Sequence, residues 1–269
     1  MTRLKKEDIE KIGNELKAYD LELKEKARLT LKEIACLAAD ISVEEASFKT
    51  KSNKIGIVPF EIGEGIIPFF AESIKSIVTY LGFKALITTK RNIIGIEEAV
   101  LNGCNILFMA DDSKFIALNV ERKLVVDNNK ATAKGFVMAL EAMAGGLKNK
   151  EVLVLGAGVV GKKIIAFLKE RGAQVSVFDV NVEKLAELRG EKIKIEENLK
   201  EALHDYRYII DATPQEGFIK LRDLQEEVKL VCPGVPLGIA SEDYPFLKEK
   251  SIHDPLQIGV ATMLMMALS

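Results

Sequence analysis

The chain has 269 residues, 48% of them hydrophobic and 29% charged, enough to bury a sizeable core in one large domain or two small ones. Its 38 basic and 40 acidic residues nearly cancel, to a formal charge of −2, which argues against a general nucleic-acid binder. Cys36, Cys104 and Cys232 lack ligand-like spacing and only two histidines accompany them, so we expect no metal site and a reducing, cytoplasmic setting.

The N-terminus, "MTRLKKEDIEKIG", is charged and lacks the apolar stretch of a signal peptide. No apolar run reaches the ~18 residues that a membrane-spanning helix needs. From Lys5 to about Asp40, Leu4, Ile9, Ile12, Leu16, Leu23, Leu31, Ile34 and Leu37 recur at helical steps among Glu and Lys. "KIGIVPF", "KALITT" and "CNILFMADD" then read as short strands, with helical patterns over Phe69–Leu81 and Ile96–Leu101 between them, which implies a small parallel α/β sheet. "ATAKGFVMALEAMAGGL" reads as a helix running between two halves, stopped by Gly145 and Gly146. The alternation resumes with "EVLVLGAG", "VGKKIIAFLKERG", "QVSVFDVN", "EKLAELRG", "YRYIIDATP" and "VKLVCPG", and "GVATMLMMALS" reads as a packed terminal helix. The expected fold is α/β: an N-terminal helical and small α/β substrate domain over 1–147, then a doubly wound parallel Rossmann sheet over 148–269 that includes the terminal helix.

"VLVLGAGVVGKK" places Gly156, Gly158 and Gly161 in a G-x-G-x-x-G pattern between a strand and a helix. Gly156 would allow the tight turn, Gly158 the approach of a pyrophosphate, and Gly161 the packing of helix on strand. Val159 and Val160 would supply backbone at the helix start. Asp179 closes the next strand about twenty residues on, where an acid binds the ribose hydroxyls and repels a 2′-phosphate, favouring NAD over NADP. A helix cap before "NVEKLAEL" is the competing role for it. "DATP" ends a later strand at the edge where ligands gather, so Thr213 and Pro214 join the candidate cofactor contacts, although an ordinary turn accounts for the stretch equally well.

Hydride transfer also needs a held substrate and a group that manages its proton. Asp111 and Asp112 follow a strand in "MADD"; Asp111 could bind a substrate ammonium and accept its proton, since hydride leaves readily only from a neutral amine. A turn or helix cap is the plainer role for such a pair. The loop "GIVPFEIGEGIIPFF", including Gly63, could offer amide donors to a substrate carboxylate or could be a structural crossover. Near the C-terminus His253 reads as surface or core, and Asp254, at a helix start, as an acid able to face a cation. These residues point to an NAD-dependent dehydrogenase of a small cationic metabolite. Another amino-acid or opine dehydrogenase and a non-catalytic NAD(H) sensor are the rival readings, although a sensor would not need acids facing the nicotinamide.

"GIVP", "GEGII", "ILFMADD", "VLVLGAGVVG", "DATP", "PGVP" and "PLQIGVATML", in that order over about four-fifths of the chain, resemble the pyrrolysine-biosynthesis dehydrogenase family PylD. The resemblance implies a homodimer that oxidises the terminal amine of L-lysine-Nε-3R-methyl-D-ornithine with NAD, after which the pyrroline ring closes. It implies that Asp111 lies beside the reacting amine, that Asp254 takes the place of a glutamate, that Leu4 and Phe70 enclose substrate, and that Pro233 of "PGVP" belongs to the cofactor side. It further implies that the N-terminal helix closes over the substrate. Ile62, Phe69 and Gln257 depart from the family pattern.

Overall fold

The computed structural model describes residues 4–61, 63, 65–190 and 192–269; Ile62 lies outside them. Four helices come first: α1 (Lys6–Ile9), α2 (Ile12–Ala27), α3 (Leu31–Ala38) and α4 (Val43–Lys49). A capping box sets the start of α3: Thr30 Oγ1 accepts from the Glu33 amide, and the Glu33 carboxylate accepts from the Thr30 amide at 2.7 Å. Next come β1 (Lys54–Val58), α5 (Phe70–Tyr80), β2 (Lys84–Ile87), α6 (Asn92–Leu101), β3 (Ile106–Ala110), β4 (Phe115–Asn119) and β5 (Leu124–Asp127). These strands form a sheet in the order β2-β1-β3-β4-β5. β1 pairs in parallel with β2 and β3, as the sequence leads one to expect, but β3, β4 and β5 pair antiparallel. The sheet is therefore mixed rather than parallel. The two added strands are short, carry the polar Asn119 on a buried position, and follow a tight polar turn, so they give little periodic signal.

α7 (Asn128–Ala144) leads to the second half and stops at Gly145, whose φ of 68° is the left-handed conformation that suits glycine. There follow β6 (Glu151–Leu155), α8 (Val159–Glu170), β7 (Gln174–Phe178), α9 (Val182–Ala186), β8 (Lys194–Ile195), α10 (Leu199–Asp205), β9 (Tyr208–Asp211), β10 (Lys229–Cys232), α11 (Tyr244–Leu247), β11 (Ser251–His253) and α12 (Gln257–Leu268). The strands form a wholly parallel sheet in the order β11-β10-β9-β6-β7-β8. The order reverses between β6 and β9, which opens a crevice at their carboxyl ends. β8 and β11 escape a sequence reading because each is only two or three residues long.

The terminal helix does not stay with this sheet. α12 packs against α3, α5, α7, β4 and β5 of the first half, across the division placed at 147 and 148 from sequence. It is apolar all round, and such a helix must be enclosed on every side. Its closest partner is α7, at Gly135, where a Cβ would lie 2.4 Å from Ile258 Cγ2 and 2.6 Å from Thr262 Oγ1. Gly135→Val should therefore overpack this contact and destabilise the protein by ~1–3 kcal/mol. An unchanged midpoint in thermal denaturation would contradict the packing.

Candidate active site

The glycine turn behaves as its pattern requires. Gly156 has φ +93°, and its amide donates to the Phe178 carbonyl at 2.8 Å, tying the turn to the end of β7. A Cβ on Gly161 would lie 1.9 Å from the Gly156 carbonyl oxygen, so only glycine lets α8 begin this close to the turn. At Gly158 nothing lies within 4 Å of the Cβ position: the space that a pyrophosphate needs is open, above the N-terminus of α8. Asp179 Oδ2 accepts from the Ala157 amide at 2.7 Å and Oδ1 from the Asn181 amide at 2.8 Å. The cap of α9 is Asn181, whose side chain accepts from the Glu183 and Lys184 amides. Asp179 is thus free of that capping role and sits beside the glycine turn, with Lys184 Nζ 3.9 Å from Oδ2. These residues fit a dinucleotide.

A cavity of about 810 Å³ opens from this turn toward the first half. Gly158, Val159, Val160, Thr213, Pro214 and Pro233 line it on the side of the glycine turn, whereas Gly156, Gly161 and Asp179 are not among its lining residues. Below Thr213, the buried Asp211 carboxyl accepts from the Thr213 amide and hydroxyl at 3.0 and 2.7 Å, and burial pushes it up to about 6. Leu4, Phe70, Asp111 and Asp254 all line the same cavity, so the residues implied by the family resemblance converge. Phe70 meets Phe115 edge-on at 5.2 Å and makes an apolar wall. Gly63 takes another position. It rests against Asp112, where a Cβ would lie 1.5 Å from Oδ2, and Gly65, Ile66 and Ile67 form the cavity wall instead. Among the positions that depart from the family, Phe69 sits under Lys6, whose Nζ is 5.4 Å from the ring centroid, and Gln257 is buried outside the cavity.

The two carboxylates differ in environment. Asp111 is exposed in the turn joining β3 to β4, and its Oδ1 accepts from Ser113 Oγ and from the amides of Ser113 and Lys114. Those bonds favour the charged form and hold its pKa below the usual carboxylate range. Asp254 is 3% exposed. Burial raises its pKa, against the opposing pull of hydrogen bonds from the Tyr19 hydroxyl and the Leu256 and Ile258 amides. The cavity also takes in Asn128, Asn129 and Thr132 from the start of α7, which sequence reasoning missed. The periodic pattern began at Ala131, one turn late; the available signal was the Asn pair directly after strand β5.

A parallel sheet with this glycine turn, facing a second α/β unit across a cleft that holds carboxylates, fits a nicotinamide-dinucleotide-dependent oxidoreductase. Residues 8–126 match the family described as pyrrolysine biosynthesis protein PylD, N-terminal domain, and residues 126–215 match the alanine dehydrogenase/PNT C-terminal domain. The chain is 30% identical to the pyrrolysine synthase of Methanosarcina acetivorans, over 98% of each chain, and 33% identical to that of Methanosarcina barkeri, over 98% of this chain and 97% of the relative. It belongs to the PylD pyrrolysine synthase family, and is an enzyme that uses a nicotinamide cofactor. In fold it is similar to quinate dehydrogenase from Corynebacterium glutamicum in complex with NAD, with a TM-score of 0.54 and 12% identity over 80% of this chain and 92% of that one. Shikimate 5-dehydrogenase from Thermus thermophilus, in complex with NADP(H) and shikimate, gives 0.51 and 16% over 79% and 93%.

If Asp179, beside the glycine turn, receives the adenosine ribose as the sequence leads one to expect, Asp179→Ser should narrow the preference for NAD over NADP. Isothermal titration with both dinucleotides checks this; an unchanged ratio would remove Asp179 from the recognition of the ribose.

Proposed function

We propose that this enzyme oxidises the terminal amine of L-lysine-Nε-3R-methyl-D-ornithine with NAD, and that the product closes to the pyrroline ring of pyrrolysine. The observation that carries the reading is the convergence of Asp111 from the first half and Asp254 from the second on one cavity beside the glycine turn. The two acids suit a dibasic substrate whose reacting group arrives as an ammonium. When bound, the nicotinamide supplies the hydride acceptor. The ammonium must first lose a proton; the neutral amine then gives up hydride from its carbon and becomes an iminium. The second amine of the methylornithine moiety attacks that carbon, ammonia leaves, and the ring C=N remains.

The environments divide the work. From sequence, Asp111 was the expected proton acceptor. Its three hydrogen bonds keep it ionised but make it a weak base, so it serves to anchor the ammonium. Asp254, raised by burial, is the better matched acceptor, because a general base works best with a pKa nearer the operating pH. Asn128, Asn129 and Thr132 offer polar contacts to the rest of the substrate, and Leu4 with Phe70 shields it from water. We also infer a homodimer acting in the cytoplasm on a small molecule. No described helix is long and apolar enough to cross a membrane, and α6 exposes Ile93, Ile94 and Leu101 as apolar surface. The near-neutral charge balance agrees with a partner other than nucleic acid.

Asp254→Asn should lower the rate of NADH formation by ~10²–10⁴-fold, while Asp111→Asn should act mainly through a higher KM. Only the ionised Asp254 can accept a proton, so wild-type kcat should fall with decreasing pH at a value above the ordinary carboxylate range. NADH absorbance, with mass spectrometry of the product, provides the test. A wild-type enzyme that reduces no NAD with this substrate would overturn the reading. A fully active Asp254→Asn variant would overturn the assignment of the acceptor.

A further inference from the structure

A second, small cavity of about 20 Å³ lies behind the cleft, lined in part by Tyr19, Glu22, Lys26, Tyr244 and His253. A space of that size admits about one water. Asp254 lines the main cleft, Tyr19 lines the small cavity, and the Tyr19 hydroxyl donates to Asp254 Oδ2. That hydrogen bond joins a residue lining one space to a residue lining the other. His253 is the second feature. Its Nδ1 lies 2.8 Å from the Cys232 carbonyl, which can only accept, so Nδ1 carries the proton and Nε2 is left as the acceptor of the neutral ring.

We propose that Tyr19 is a relay and positioning residue, through which the proton taken up by Asp254 leaves the cleft for the small cavity and His253. This rests on the reading of Asp254 as the proton acceptor. The step balances without any further reagent. Once Asp254 is protonated, the Tyr19 O–H turns from Asp254 toward the small cavity; the Asp254 O–H bond then breaks as its proton joins the Tyr19 oxygen, and the proton that Tyr19 held passes to a water or to His253 Nε2 and then to solvent. Asp254 returns to carboxylate, and Tyr19 remains a neutral phenol throughout. The surroundings favour that neutrality: burial, then Asp254, Glu22 and Asp20, push the Tyr19 phenol well above its ordinary range, so it passes protons without ionising. Glu22 is paired with Lys26 and Lys248, each at 3.2 Å, and those partners hold it below the usual carboxylate range. It therefore does not trap the proton on its way out. The cavity wall is completed by Tyr244, whose phenol burial raises.

Tyr19→Phe keeps the ring and removes the relay. In the ligand-free protein, the infrared carboxyl band of Asp254, assigned by its loss in Asp254→Asn, should titrate at a higher pH in Tyr19→Phe, because the donor that favoured the carboxylate is gone. In turnover kcat should fall by about tenfold or more, with KM and dinucleotide affinity near wild type and a larger solvent deuterium isotope effect on kcat. His253→Gln, at the far end of the path, should raise the isotope effect in the same way, and it decides the matter if Tyr19→Phe folds poorly. An unchanged Asp254 midpoint, or isotope effects equal to wild type in both variants, would overturn the relay. A wild type inactive on the dibasic substrate would sink the substrate reading, while the infrared midpoint would still decide whether Tyr19 controls the proton on Asp254.

Discussion

Removing a carboxylate from water costs several kcal/mol unless hydrogen bonds replace the lost solvation, and Asp254 is almost fully removed. Its partners come from distant parts of the chain. The amides come from Leu256, the N-cap of α12, and Ile258 in its first turn, where the helix dipole also favours a negative charge. The third donor, Tyr19, comes from α2, 235 positions away in sequence. Asp254 thereby ties α2 to the start of α12 beside the cleft, alongside the Glu22–Lys248 ion pair that also joins α2 to the second half. Compensation is incomplete, since burial still raises the acid's proton affinity. A group in that state suits proton transfer, whereas the exposed and multiply hydrogen-bonded Asp111 suits holding a cation.

The same end of α12 sets the width of the cleft. A Cβ on Gly259 would lie 2.9 Å from Thr132 Oγ1 and 3.2 Å from Asn128 Oδ1, so glycine lets the first turn of α12 lie directly on the first turn of α7. Gly135 allows a similar approach further along the pair. With α7 also packed on α8, β9 and β10, the two helices clamp the halves together, leaving the glycine turn to face Asp111 across open space.

The dinucleotide turn was legible in the sequence because each of its glycines answers a local backbone demand: a positive φ at Gly156, open space at Gly158 and a close approach at Gly161. Asp111 was legible as a polar residue just past an apolar strand. Its basicity was not, because that depends on which amides the turn aims at Oδ1. Asp254 could be placed at a helix start, but its burial, and hence its chemistry, follows from α12 folding back into the first half. A uniformly apolar helix gives no clue to its partner. Tyr19 carries no signal of its own among the Lys and Glu of α2, because its bond to Asp254 is made across nearly the whole chain. The antiparallel β4 and β5 were lost in a stretch too short and too mixed for periodicity to register.

The central claim is that two carboxylates of unequal basicity meet one substrate nitrogen. A crystal structure of the complex with dinucleotide and the dibasic substrate, or a non-reactive analogue of it, tests this most directly. The account predicts the reacting nitrogen within hydrogen-bond reach, ~2.6–3.2 Å, of both Asp111 and Asp254, with its carbon facing the nicotinamide ring. A substrate whose nitrogen approaches neither acid, or that lies with its carboxylate toward them, would contradict it.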